Sequence, residues 1–102
     1  MMSKIIACDF DGTLCENSFP NIGAPRQDII DKLKREISFG AKAILWTCRE
    51  GEYLISAVKW CEQRGIVFDA INDNIEEVKK EFMGNSRKVV ATEYWDDRAV
   101  KV

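Results

Sequence analysis

Residues 4–8 read Lys-Ile-Ile-Ala-Cys and stop abruptly at Asp9-Phe10-Asp11-Gly12. A short, unbroken apolar run with β-branched residues is the pattern of a strand covered on both faces, as strands are in parallel sheets. Parallel strands need crossover connections, and the rest of the sequence supplies them. After a loop of turn formers (Asn17, Ser18, Pro20, Asn21, Gly23), Ala24-Pro25 opens a predicted helix in which Ile29, Leu33 and Ile37 recur every four residues until Gly40. Residues 41–46 (AKAILW) predict a second strand. Residues 51–64 predict a second helix with Tyr53, Leu54, Ala57, Val58 and Cys61 as its apolar stripe, and Gly65 closes it. A brief third strand is expected at 66–68, then an Asn72-Asp73-Asn74 turn that caps a helix over 75–82. A fourth strand over 88–95 runs into Asp96-Asp97. Strands alternating with amphipathic helices along the whole chain predict one α/β domain over residues 1–102, with a mostly parallel sheet of about four strands and helices on both faces.

Composition narrows the chemistry. The 102 residues carry 15 Lys+Arg against 17 Asp+Glu, a formal charge of −2, and no histidine. That balance lacks the basic excess of a dedicated nucleic-acid binder. The missing histidine removes Ser-His-Asp and Cys-His catalysis and every histidine-ligated zinc site. Cys8, Cys15, Cys48 and Cys61 form no C-x-x-C pair, so a zinc site would need all four thiolates gathered by the fold. No cysteine is followed six residues later by arginine, which excludes a phosphatase built on that pair. The N-terminus shows neither a signal peptide nor a membrane span, and reduced thiols in the cytoplasm are the expectation.

In open parallel sheets the ligand crevice lies at the carboxyl ends of the strands. Three strand ends here carry polar residues: Asp9 and Asp11, then Thr47, Cys48 and Arg49, then Asp96 and Asp97. A carboxylate at the end of a buried strand is costly unless paired, hydrogen-bonded or bound to metal. Four of them together call for a cation, and hard oxygen donors suit an octahedral Mg²⁺. Such an ion keeps Asp9 ionised as a nucleophile. Gly12 lets the backbone bend so that amides from Phe10 to Thr13 can face an anion. With the Thr47 hydroxyl and the charge of Lys88 or Arg87, these parts fit phosphoryl transfer.

Asp9-Phe10-Asp11-Gly12-Thr13-Leu14 resembles the first motif of the haloacid dehalogenase superfamily of phosphohydrolases. Ile44-Leu45-Trp46-Thr47 resembles its second motif, Lys88 stands in the place of the third, and Tyr94-Trp95-Asp96-Asp97 resembles the acidic fourth. The likeness runs from about Ile5 to Val100. Thr47 to Gly51 and Ser86-Arg87-Lys88 further resemble small bacterial and phage-type members. The resemblance implies a Rossmann-like fold and a phosphomonoester hydrolase. In it Asp9 attacks phosphorus and Asp11 protonates the leaving oxygen and then deprotonates water. Thr47 and Lys88 hold the transferring group, with Phe10, Gly12, Thr13, Cys48 and Arg49 as further phosphate or leaving-group contacts. Mg²⁺ is held by Asp9, the backbone carbonyl of Asp11, Asp96 and Asp97. Lys79, Lys80 and Arg87 are alternative third-motif cations.

Thr92 and Glu93 stand where similar sequences often carry an Asp, and a fifth strand common in the superfamily is not expected within these residues, which would leave the fourth as a sheet edge. The intervals that usually hold a cap have room for only a short flap and a helix, so the resemblance implies a capless enzyme. An open site suits a large substrate such as a protein or nucleic-acid end, or a second copy of the chain that completes the wall; small phosphorylated molecules also remain as substrates. Phe19, Pro20 and Trp95 could stack on a base or sugar, or simply pack. Two other readings stand beside the enzyme: a phosphate-sensing receiver-like module, and a scaffold of the same fold that only binds a partner.

Overall fold

Residues 3–102 are described in a computed structural model. The elements run β1 (Ile5–Cys8), α1 (Gln27–Ser38), β2 (Lys42–Leu45), α2 (Gly51–Gln63), β3 (Ala70–Ile71), α3 (Glu76–Phe82) and β4 (Glu93–Trp95). The four strands form a parallel sheet in the order β3-β2-β1-β4. This is the α/β, Rossmann-like architecture with helices on both faces.

Successive strand residues point to opposite faces, and the two cores follow that alternation. Ile6 and Cys8 of β1, with Ala43 and Leu45 of β2, pack on Ile30 and Leu33 of α1 and Ala57 and Cys61 of α2. Ile5, Ala7 and Ile44 face the other way, onto Ile75, Val78 of α3 and Val89. Every residue of β1 is buried, which explains why its sequence is continuously apolar rather than alternating. Both crossovers leading from β1 to β3 carry their helix on the first face. The last one returns across the second face to set β4 beside β1, so the chain reverses direction between these two strands, where such sheets open a crevice.

Two strands differ from the sequence expectation. The third is at Ala70–Ile71 rather than 66–68. Ile66 is fully buried, but it packs against α1 and α2 at the end of the helical turn instead of pairing. The fourth is confined to Glu93–Trp95: ahead of it the Val90 N–H donates to the Asn74 side chain, at Oδ1 (2.7 Å), and backbone bonding to β1 begins only at Thr92 N–H, which donates to Ile5 O at 2.8 Å. Helix α1 also begins later than Ala24-Pro25, since Pro25 forms an antiparallel bridge with Cys15 that closes the base of a flap.

Asn74 does not cap α3, whose N-terminus has no side-chain cap. Its side chain, only 2% exposed as a residue, instead donates to Asn85 Oδ1 (2.9 Å) and Ser86 O (3.0 Å) while accepting from Val90. It thus ties the loop after β3 to the approach to β4. Asn74→Ala leaves several buried groups unpaired and is expected to cost about 2–3 kcal/mol in a denaturant melt. A change below about 0.5 kcal/mol would show that water replaces the network.

Candidate functional site

The site lies over the carboxyl ends of β1, β2 and β4. The last ladder bonds hold these ends together: Asp9 N–H donates to Trp95 O and Trp46 N–H to Cys8 O, both at 2.9 Å. Asp9, Asp11, Asn17, Trp46, Thr47, Cys48, Asp96, Asp97 and Arg98 line a cleft of about 400 Å³ above them. Asp9, Asp96 and Asp97 each offer a carboxylate oxygen, and these oxygens lie within 4.8 Å of one another. No comparable group involves the four cysteines among the described residues, and all four are free thiols. Burial pushes the Cys61 thiol up to about 12 and raises Cys8 further, so neither is poised as a thiolate.

Asp9 is half-buried. Its Oδ1 accepts the Phe10 N–H at 2.8 Å, which favours the ionised form, yet burial outweighs that bond. With the charges of Asp96, Asp97 and Asp11 nearby, its pKa rises to about 6. Three carboxylates crowded to this degree fit a hard cation. Gly12 makes the crowding feasible. Its φ is +84°, and a Cβ there would overlap the Asp97 carboxylate.

Asp11 and Arg49 form a separate unit. The Arg49 Nε donates to Asp11 Oδ2 (2.8 Å) and Nη2 to Asp11 Oδ1 (2.7 Å), a bidentate pair with Arg49 only 2% exposed. Nη2 also donates to Asn21 O (3.0 Å), and Nη1 to Pro20 O and Tyr53 O (3.4 Å each). All five guanidinium N–H groups are therefore spent, which corrects the expectation of a substrate contact at Arg49. Both oxygens of Asp11 are bonded by Arg49, and its carboxylate is outside the group of three oxygens within 4.8 Å, so any part it takes in cation binding falls to its backbone carbonyl.

The amides expected to cradle an anion are mostly committed. Phe10 N–H donates to Asp9, Gly12 N–H to Cys15 O (2.8 Å) and Thr13 N–H to Phe10 O (3.1 Å). Asp11 N–H is the one in this turn with no acceptor among the described residues. The Phe10 ring is core, edge-on to Trp60 with centroids 5.3 Å apart. The Thr13 hydroxyl is buried without a partner, in a smaller adjoining cleft that Asp96 and Asp97 also line.

Thr47 does face the cleft. Its N–H donates to Asn72 Oδ1 (2.8 Å) and its Oγ1 accepts from Arg49 N–H (3.1 Å), which leaves the hydroxyl proton free to donate. Cys48 lines the cleft with an exposed thiol. Lys88 does not line it: the residue is exposed, with its ammonium 5.7 Å from the Tyr94 ring centroid. Of the alternatives, Lys79 pairs with Asp73 at 2.8 Å. The basic residue in the cleft is Arg98, which the sequence reading missed along with Asn17. A turn after the acidic pair brings it back, as Arg98 N–H donates to Asp96 Oδ1 at 2.9 Å. An acidic residue two positions before an arginine just past a strand end was the available signal.

Among the described residues no helix is long and apolar enough to cross a membrane. No family model and no curated protein matches this chain. A solved structure of a conserved protein from Bacteroides thetaiotaomicron superposes with a TM-score of 0.86 at 40% identity, covering 97% of this chain and 79% of that one. That identity holds across nearly the whole α/β sheet just described, and the chain belongs to the same family as the conserved Bacteroides thetaiotaomicron protein.

Proposed function

We propose that the chain is a cytoplasmic, Mg²⁺-dependent phosphomonoester hydrolase of haloacid dehalogenase type that works through an aspartyl-phosphate. The observation that carries this reading is the meeting of Asp9 with Asp96 and Asp97 across β1 and β4, within 4.8 Å, in a cleft shared with Asp11 and Thr47. Asp9 Oδ1 is held by the Phe10 amide, so Oδ2 is the oxygen that attacks phosphorus. As the new P–O bond forms, the bond to the leaving oxygen breaks and Asp11 passes its proton to that oxygen. Asp11 then takes a proton from the water that attacks the aspartyl-phosphate, which releases inorganic phosphate and restores Asp9. Thr47 donates to the transferring group, and Arg98 replaces Lys88 as its neutralising cation. Asp9, Asp96 and Asp97 would hold Mg²⁺, which supplies neutralisation of the phosphate and carboxylate charges when bound. The partner is a phosphorylated substrate, a small molecule or a macromolecular end, with nucleic acid entering only as substrate and a second copy of the chain as an additional wall.

One observation favours a binding-only scaffold, namely the position of Lys88 outside the cleft. Phosphate release from p-nitrophenyl phosphate and a panel of nucleotides and sugar phosphates, with Mg²⁺ or with EDTA, separates the two. Release that needs Mg²⁺ is expected. Folded protein that binds Mg²⁺ and releases no phosphate from any of them, nor from phosphorylated peptide and nucleic-acid ends, would overturn the hydrolase and leave the scaffold.

A further inference from the structure

We infer that Arg49 is a positioning residue that makes the placement of Asp11 depend on closure of the flap over residues 16–24. The inference rests on the hydrolase reading above. Asp11 follows the strand end by two residues and precedes a glycine with positive φ, so its backbone alone leaves the carboxylate free to rotate. A planar fork that binds both oxygens fixes its plane and its rotamer together, and a lysine point charge cannot do the same.

The remaining donors of the same guanidinium go to the carbonyls of Pro20 and Asn21 in the flap and of Tyr53 in α2. The group is sandwiched between the rings of Phe10 and Phe19, at 5.0 and 5.1 Å from their centroids. Phe19 in turn meets Tyr53 edge-on at 5.4 Å. Opening the flap therefore removes two acceptors and one aromatic cover from Arg49, and what holds Asp11 loosens with it. A purely structural role explains this arrangement less well. Between two aromatic rings an apolar side chain would fill the space without the cost of burying a charge, and a buried ion pair is weak support for stability. What the arginine adds is orientation. Each Asp11 oxygen keeps a lone pair beyond the one Arg49 occupies, so the carboxylate can still carry the proton in transit.

Leaving-group dependence tests the assignment. An alkoxide needs a proton as it departs, whereas p-nitrophenolate does not. First-turnover release of alcohol from glycerol phosphate is expected to fall about 100-fold in Arg49→Gln, against less than about threefold for p-nitrophenol from its phosphate. Phe19→Ala, at a half-exposed ring, is expected to show the same pattern at about tenfold and serves alone if Arg49→Gln does not fold. In an Asp11→Asn background neither substitution should lower alcohol release further. Equal losses on both substrates, or additive losses in that background, would overturn the positioning role and leave the hydrolase standing. A wild-type protein that releases phosphate from neither of these nor from any member of the panel above would remove the hydrolase reading itself.

Discussion

Asp9→Asn is expected to lower phosphate release by more than about 10⁴-fold and, in EDTA at pH 7, to raise the melting temperature. The two effects have one origin. Burial and the neighbouring Asp96, Asp97 and Asp11 carboxylates hold the folded-state pKa of Asp9 at about 6, against an ordinary value of 3.8. Between those values the folded chain keeps a proton that the unfolded chain has lost, so stability declines as pH rises through about 4 to 6. Above pH 6 the ionised carboxylate sits uncompensated unless a cation joins it. Asparagine fills nearly the same volume without the charge, and it also lacks the carboxylate oxygen that the proposed mechanism uses as nucleophile. Melts in EDTA at pH 5 and pH 8 should therefore show a pH-dependent wild type, less stable at pH 8, and a flatter variant. Mg²⁺ should stabilise the wild type more than the variant. A variant less stable than wild type at pH 8 in EDTA would mean that the Asp9 charge is already balanced within the chain.

Gly12→Ala carries the second large effect. Its φ of +84° disfavours any side chain by about 1–2 kcal/mol, and the new methyl group also displaces the Asp97 carboxylate. Gly40 separates these contributions, since its φ is +99° but a Cβ there meets nothing within 4 Å. Both alanine variants are expected to lose similar stability, while only Gly12→Ala should weaken Mg²⁺ binding in a calorimetric titration, by about 10- to 100-fold. Equal Mg²⁺ affinity in the two would place Asp97 outside the cation's ligands.

The order of elements was legible because β1 and β2 are buried on both faces and α1 carries its apolar residues at helical spacing. Periodicity failed at the approaches to β3 and β4. Asp69 Oδ2 accepts from Ala43 N–H at 2.8 Å, just before β3, and Thr92 Oγ1 bonds both the N–H and the carbonyl of Ile5 at 2.8 Å, just before β4. These side-chain bonds stand beside the first backbone bonds of each strand, Asp69 N–H to Ala43 O and Thr92 N–H to Ile5 O (2.8 Å each), so pairing starts only at the ends of the runs that periodicity marked. In the site, Asp9, Asp11, Thr47, Asp96 and Asp97 were readable as strand-end residues, and the structure brings all five to one cleft. The partnership of Arg49 with Asp11 was not readable, because 38 positions separate them and only the fold sets their distance.

The two strands that carry the acidic trio are held with unequal firmness. Among the described residues β1 is flanked by neighbours on both sides, whereas β4 is an outer strand of three residues paired on one side only. Fluctuations that open a fold begin at such margins. Asp96 and Asp97 thus ride on a compliant border while Asp9 is fixed at the centre, and the proposed cation, if shared among them, would act as a rivet between the two. Fraying of the border and escape of the ion would then be one event, and the dwell time of the ion would measure how tightly the sheet is hemmed.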